Sequence, residues 1–173
     1  NHKIYLGSNY NKFNHNDINI VFSNINHIKF NHNDINMINI GEDSDYSSNL
    51  IKMLNEIDED RVIIMCEDAF LSDFVDDSNL QTFYDEFESK DAAYLKLIKT
   101  YPLGYNKDIS HKIASIPLGI KYRVGVGLAL WNKDILLDNI VPGQSAWEME
   151  KSGILGKNLK QNQTYSINHY YSG

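Results

Sequence analysis

The apolar residues of this chain fall into short runs separated by polar segments, a pattern that predicts alternating strands and helices. One uncharged run, residues 62–66, is rich in β-branched side chains and stops at two adjacent carboxylates, Glu67 and Asp68. A short continuous apolar run is typical of a strand that is covered on both faces inside an α/β sheet. We therefore expect residues 62–66 to form the central strand of the fold.

Apolar residues at helical spacing predict helices on both sides of this strand. Candidate N-caps precede four such stretches, at Asp45, Asp76, Asn132 and Ser145. Period-two or continuous apolar runs predict further strands, at residues 3–6, 19–22, 36–40, 92–100, 113–116, 122–126 and 165–171. Since strands and helices alternate, the sequence predicts one α/β domain over residues 1–173 with a mostly parallel, Rossmann-like sheet flanked by helices.

Composition limits the kind of protein. The chain has 173 residues, of which 42% are hydrophobic and 12% aromatic, as expected for one folded domain with a real core. Its net charge of −7 would repel a phosphate backbone, so we expect no nucleic-acid partner. The chain begins next to a predicted strand and ends abruptly, and we expect it to be a fragment, truncated at one or both ends.

The single cysteine, Cys66, lies in the predicted central strand, where it would be a small core residue. A lone cysteine forms no internal disulfide, which favours a reducing, cytoplasmic location. No run of the sequence approaches the roughly 20 apolar residues of a membrane span. We expect at most peripheral association with the inner face of a membrane, and the sequence leaves the oligomeric state open.

The acidic pair stands where a site is expected, because ligands of open α/β sheets bind outside the carboxyl ends of the strands. Glu67 and Asp68 are followed by apolar sequence. Two carboxylates in such a setting require a cation or donor groups to offset desolvation and mutual repulsion, and a divalent metal is the simplest offset. A strand-end turn with two solvated acids is the alternative that this stretch leaves open.

Three motifs in sequence order give the chain a resemblance to a known family. They are Glu-Asp-Ala-Phe-Leu at 67–71, Tyr-Arg at 122–123 ahead of Leu-Trp at 130–131, and Pro-Gly-Gln-Ser-Ala-Trp-Glu-Met-Glu at 142–150. Between residues 61 and 153 the chain resembles bacterial glycosyltransferases of the GT-A type from surface-polysaccharide clusters. Glu67 replaces the family's usual Asp, Ala69 its usual Phe, and Gln144 its usual Glu.

The resemblance implies a metal site. Glu67 and Asp68 would take the place of the family's Asp-x-Asp-like motif, with Asp68 the better candidate ligand, and His169 would complete the metal shell. The implied cation is Mn or Mg, which prefers carboxylate oxygens and would bridge the two phosphates of the donor. The alternative is a structural histidine, which is the more common role of a lone histidine near the end of a chain.

The resemblance also implies catalytic and binding residues. Glu148 or Glu150 would be the general base of an inverting displacement, and we favour Glu148 because it adjoins Trp147, whose ring would form a stacking wall for a sugar. Arg123 would hold a donor phosphate or an acceptor carboxylate. The strand-end residues that would lie near the nucleotide are Gly7, Ser8 and Asn9. The alternatives are an amphipathic helix with two solvated acids and an arginine in a surface salt bridge.

The activity implied is metal-assisted transfer of a sugar from a nucleoside-diphosphate sugar to a glycan or lipid-linked acceptor in polysaccharide biosynthesis. The family normally has a strand and loop that grip the nucleotide base upstream of the position of Ile4, so we expect little transferase activity from this fragment. The main alternative is a non-catalytic sugar- or partner-binding domain that retains the glycosyltransferase fold. A metal-dependent phosphoesterase is less favoured, since two-metal sites need several His and Asp ligands.

Overall fold

The computed structural model of the chain describes six segments, which carry all the elements named below. They are residues 4–8, 35–66, 75–98, 112–120, 122–152 and 158–167. Seven strands lie in these segments, namely β1 (Ile4–Ser8), β2 (Ile35–Asn39), β3 (Arg61–Ile64), β4 (Tyr94–Lys96), β5 (Ile113–Ser115), β6 (Ala129–Asn132) and β7 (Thr164–Ile167). The helices are α1 (Tyr46–Asn55), α2 (Asp77–Ser89), α3 (Lys133–Asn139) and α4 (Ala146–Ser152), with a 3₁₀ turn at Gln161–Gln163.

The predicted α/β class is confirmed, but the prediction of a mostly parallel sheet is wrong for the described strands. The larger sheet has five strands in the order β3-β6-β4-β7-β5 and is mixed. Only β4 and β7 pair in parallel, whereas β6 is antiparallel to both β3 and β4, and β5 is antiparallel to β7. A separate two-stranded sheet pairs β1 with β2 in parallel.

Helices cover both faces of the five-stranded sheet, because successive side chains of a strand point to opposite faces. On β4, Tyr94 joins one core cluster and Leu95 the other, and on β6 the same split separates Trp131 from Leu130. Further members of the first cluster lie on α1, α3 and α4 and in the segment that precedes β6. The second is built around Phe87 of α2 together with residues of β5 and β7.

The helices begin at the predicted caps. The side chain of Asp45 accepts from the N–H of Ser48 at the start of α1, and Asp76 accepts from the N–H groups at the start of α2. Asn132 caps α3 by accepting from the N–H of Ile135. Each cap satisfies backbone donors that have no partner inside the helix, so these polar residues fix where the helices start.

The predicted central strand is found at β3, but it is not central and is covered on one face only. It forms one edge of the five-stranded sheet in the described part of the chain. Val62 and Ile64 pack against the first core cluster, whereas Ile63 and Met65 are 47% and 44% exposed. A continuous apolar run therefore belongs here to a half-exposed strand, which the run alone cannot distinguish from a fully covered one.

The strand predicted at 122–126 is absent from the described residues of that segment, which forms turns and bends instead. Val124 and Val126 are buried in the first core cluster, so their apolar character comes from a loop packed on the sheet. Tyr122 has a positive φ of 57°, which a strand does not allow. The strand predicted at 19–22 lies outside the described residues.

Within the described segments, no helix has the length and apolar character needed to cross a membrane.

Candidate functional site

Three strands of the larger sheet have their carboxyl ends on the same side of the sheet, and the candidate site lies at these strand ends. The strands β3 and β4 are both antiparallel to β6, and β7 is parallel to β4, so β3, β4 and β7 run in the same direction. The antiparallel strand β6 starts beside these strand ends. Residues 123–128 form the loop that leads into β6, and Val126 of this loop contacts Cys66 just after β3. We name residues 123–128 the pre-β6 loop.

A glutamate of α4 is attached to this loop. Oε1 of Glu150 accepts a hydrogen bond from the N–H of Val126 at 3.0 Å. The neighbouring N–H, of Gly125, donates to the hydroxyl of Tyr94 at 3.3 Å. Glu150 is half-buried, and Oε2 has no hydrogen-bond partner among the described residues. The carboxylate is therefore held through one oxygen, and the other oxygen makes no hydrogen bond within the described segments.

The end of β3 reaches the same loop. The thiol of Cys66 donates to the carbonyl of Val126 at 3.4 Å. Val126 thus contacts Glu150 through its N–H and Cys66 through its carbonyl. Cys66 immediately precedes the acidic pair in the sequence. The last described residue before that pair therefore contacts Val126, the residue that also binds the Glu150 carboxylate.

The start of α4 is tied to the N-terminus of α1. Oδ1 of Asp45, the cap of α1, also accepts from the N–H of Gly143 at 3.0 Å. Ser47 exchanges hydrogen bonds with Gln144, donating its N–H to the carbonyl at 3.0 Å and accepting from the N–H at 2.9 Å. Gly143 has a φ of +87°, a conformation that favours glycine. This turn therefore fixes where α4 begins, and with it the position of Glu150.

Glu148, the residue favoured from the sequence as the base, takes part in capping α4. Its Oε2 accepts from both the N–H and the hydroxyl of Ser145, at 2.8 and 2.7 Å, and Ser145 Oγ accepts from the N–H of Glu148. The two hydrogen bonds from Ser145, with a smaller contribution from the charge of Lys151, lower the pKa of Glu148 below its ordinary value. A carboxylate with a lowered pKa is the weaker proton acceptor.

Trp147 lies on the exposed side of α4. It is 68% exposed, and the Nζ of Lys151 stands 5.7 Å from the centre of its ring. At 3.6 residues per turn, Trp147 and Glu150 are helical neighbours, whereas Glu148 lies roughly 160° around the helix from Glu150. The fully buried Met149 fixes the inward face. Positions 147 and 150 are thus neighbours on the surface of one helix, while the carboxylate of Glu150 contacts the pre-β6 loop and the ring of Trp147 contacts Lys151.

Arg123 is a structural residue in the described contacts. The residue is only 6% exposed. Its guanidinium donates to the carbonyls of Leu159 and Lys160 at 2.8 and 2.6 Å, and to the carbonyl of Ile116 at 3.4 Å. Burial lowers the pKa of Arg123 from its ordinary value. These contacts join the pre-β6 loop to the segments before β7 and after β5. We therefore assign Arg123 this joining role, and its predicted contact with a donor phosphate or an acceptor carboxylate stays a prediction.

The remaining predicted residues stay predictions. Gly7 and Ser8 close β1, paired with Ile38 and Asn39 of β2. The other candidate nucleotide contact and all three candidate metal ligands lie outside the described residues, namely Asn9, Glu67, Asp68 and His169. Among the residues that are described, no group of three or more His, Cys, Asp or Glu side chains could hold a metal ion.

Two residues of the site were not predicted from the sequence. Gly125 and Tyr94 lie against the carboxylate and its loop, and neither belongs to a charged motif. The signal for Gly125 is the Gly-Val-Gly run at 125–127 directly before an apolar strand, which marks a close approach of the backbone to another group. For Tyr94, which is buried in the strand β4, the sequence carries no comparable signal.

Comparison of the chain with known protein families, with curated proteins and with solved structures finds no match.

Proposed function

We propose that the chain is a glycosyltransferase domain that transfers a sugar from a nucleoside-diphosphate sugar to the hydroxyl of a glycan or lipid-linked acceptor. Glu150 is the general base in this proposal, and Trp147 supports the acceptor sugar. The proposal takes the reaction from the sequence resemblance to GT-A enzymes. The half-buried carboxylate of Glu150, held beside the strand end that leads into Glu67 and Asp68, is the observation that carries it.

The position of Glu150 supports its role as the base. The hydrogen bond from Val126 fixes one oxygen, so the carboxylate is oriented before a substrate arrives. Oε2, which lacks a partner in the described segments, is the atom that would accept a proton. Glu148 is occupied in capping, and its pKa is lowered. For these reasons we propose Glu150 as the base in place of Glu148.

The proposed reaction is an inverting displacement. Oε2 of Glu150 accepts the proton of the acceptor hydroxyl while the acceptor oxygen forms a bond to the anomeric carbon of the donor sugar. The bond between that carbon and the diphosphate oxygen breaks at the same time, and the nucleoside diphosphate leaves with the bonding electron pair. Proton removal and attack thus take place on the face of the sugar opposite the leaving group.

Mn or Mg remains part of the proposal. Two adjacent carboxylates fit a hard divalent cation by the chemistry of their oxygens, and Glu67 and Asp68 would hold it, with His169 as a further ligand. When bound, such a cation neutralises the charge that develops on the diphosphate leaving group.

The exposed ring of Trp147 also favours a second candidate, a non-catalytic sugar-binding domain. An exposed tryptophan, here with a lysine ammonium over its ring, can stack on a sugar without any bond being broken. This function would need neither the acidic pair nor the proton acceptor at Glu150. The two candidates therefore differ in what they require of Asp68.

Calorimetric titration with UDP, GDP and CDP, each with and without Mn, distinguishes the transferase from the sugar-binding domain. A transferase site gives binding of at least one nucleotide that depends on Mn, and Asp68→Asn weakens this binding about tenfold or more, which corresponds to roughly 1.4 kcal/mol. The control variant is Asp58→Asn, an exposed acid just after α1, and it should leave binding unchanged. Absence of Mn-dependent binding for all three nucleotides would contradict the transferase proposal. Sugar binding that persists in Asp68→Asn would then favour the binding domain.

A further inference from the structure

The absence of a side chain at Gly125 leaves the space that the Glu150 carboxylate occupies. A Cβ atom built on Gly125 would lie 2.7 Å from Oε1 of Glu150 and 3.6 Å from its carboxyl carbon. Real side chains do not approach a carboxylate oxygen so closely, since the van der Waals distance between carbon and oxygen is larger. Gly125 therefore allows the carboxylate to reach the N–H of Val126.

Two fixed points hold the loop in place around this contact. The N–H of Gly125 is bound to the hydroxyl of Tyr94, a side chain that is only 1% exposed and packs edge-on against Trp131 with the ring centres 4.6 Å apart. On either side of Gly125, Val124 and Val126 are buried in the core. The backbone is therefore anchored, whereas the opposing Oε1 atom is the far end of a flexible side chain.

We propose that Gly125 is a positioning residue, which keeps the space that the Glu150 carboxylate needs in order to stay on the Val126 N–H. This inference rests on the proposed role of Glu150 as the base. A methyl group at position 125 would push the carboxylate off its hydrogen bond to the Val126 N–H, so that the loop keeps its place but is held less firmly at Val126. The predicted consequence is a slow enzyme that folds and still binds its donor.

The chain offers a matched control two residues away. A Cβ atom built on Gly127 would meet nothing within 4 Å, and neither Gly125 nor Gly127 has a positive φ that would itself oppose alanine. Both glycines lie in the pre-β6 loop, so Gly125→Ala and Gly127→Ala change the chain entropy of the same segment in the same way. A difference between the two variants therefore reports the contact with Glu150.

The experiment measures donor and acceptor turnover by the wild-type chain, the two alanine variants, Glu150→Gln and the double variant Gly125→Ala/Glu150→Gln, under single-turnover conditions. We expect Gly125→Ala to lower the single-turnover rate constant about tenfold or more, by analogy with other displaced catalytic groups, with the dissociation constant of the donor unchanged. Gly127→Ala should match the wild type. The double variant should be no slower than Glu150→Gln alone, because both changes remove the same interaction.

A second measurement does not depend on activity. Cys66 is the only cysteine of the chain and its thiol is bound to the carbonyl of Val126, so its rate of modification by DTNB reports how firmly that loop is held. We expect Gly125→Ala and Glu150→Ala to raise this rate several-fold, and Gly127→Ala to leave it unchanged.

The outcomes separate this inference from the proposed function. Turnover that survives Glu150→Gln would overturn the role of Glu150 and, with it, the proposed mechanism. Loss of turnover in Glu150→Gln, together with equal rates for Gly125→Ala and Gly127→Ala, would overturn only the positioning role of Gly125. Equal DTNB rates for the two alanine variants would overturn it as well, whether or not the chain transfers sugar.

Discussion

Glu150 and Cys66 are joined through a single residue, because the N–H of Val126 donates to Oε1 of Glu150 and its carbonyl accepts from the thiol of Cys66. The first contact comes from a helix near residue 150 and the second from the end of a strand near residue 66. The pre-β6 loop therefore brings together two parts of the chain that are more than eighty positions apart. Our proposed site consists of this junction and the residues that follow Cys66.

The exposed tryptophan gives a prediction about acceptor binding. Trp147→Ala should leave the thermal midpoint unchanged, since the side chain is 68% exposed, and should weaken acceptor binding about tenfold, or roughly 1.4 kcal/mol. Trp147→Phe, which keeps a ring for stacking, should retain most of the affinity. Iodide quenching offers a direct measurement, because the other tryptophan, Trp131, is fully buried and only Trp147 is open to the quencher. Quenching that is unaffected by saturating acceptor sugar would argue against the stacking role.

The two arginines Arg123 and Arg61 give a prediction about stability. Arg123→Met leaves buried carbonyl groups without their donor, and we expect it to lower the free energy of unfolding by about 2–4 kcal/mol. Arg61 pairs with Glu88 at 2.6 Å, but both side chains are partly exposed, so Arg61→Met should cost less than about 1 kcal/mol. Urea denaturation measures both values. If Arg123→Met retained full stability and instead lost nucleotide binding, the joining role would be contradicted and the phosphate contact predicted from the sequence would be favoured.

The cap of α1 gives a prediction about pH. Hydrogen bonds from the N–H of Ser48 and the hydroxyl of Ser47, with a smaller one from the N–H of Gly143, hold the pKa of Asp45 well below its ordinary value. A carboxyl group with a lowered folded-state pKa contributes stability above its unfolded pKa of about 3.9, and this contribution is lost as the pH falls toward the folded-state pKa.

Thermal unfolding of the wild-type chain and Asp45→Asn tests this dependence. Asparagine keeps a capping oxygen but carries no charge, so the wild type should have the higher midpoint at pH 7. The difference should shrink as the pH is lowered below about 4. A difference that stays constant from pH 7 to pH 3 would mean that the charge of Asp45 contributes nothing to the link between α1 and the turn at Gly143.

The local signals in the sequence predicted the helices well because their causes are local. Asp45, Asp76 and Asn132 were recognisable as caps from the polar residue ahead of an apolar stripe, and each accepts the expected backbone hydrogen bonds. The Ser-x-x-Glu spacing of Ser145 and Glu148 is likewise a capping-box signature, and it could have assigned Glu148 to the helix start from the sequence alone.

Features that depend on distant partners were not predictable in the same way. Strand direction follows from how the chain crosses the sheet, and the antiparallel placement of β6 has no signature in its own residues. Two of the three carbonyls that accept from Arg123 lie 36 and 37 positions later in the chain. The exposed face of β3 also depends on its place at the sheet edge, which its apolar sequence does not encode.

The most direct test of the proposed mechanism compares Glu150→Gln with Glu148→Gln in a sugar-transfer assay that contains the donor identified by calorimetry, Mn and excess protein. We predict that Glu150→Gln lowers turnover about 10²- to 10⁴-fold, the usual contribution of a general base, while Glu148→Gln lowers the thermal midpoint but keeps turnover within a few-fold of wild type. The opposite result, with turnover lost in Glu148→Gln and retained in Glu150→Gln, would contradict the assignment of the carboxylate beside Val126 as the base.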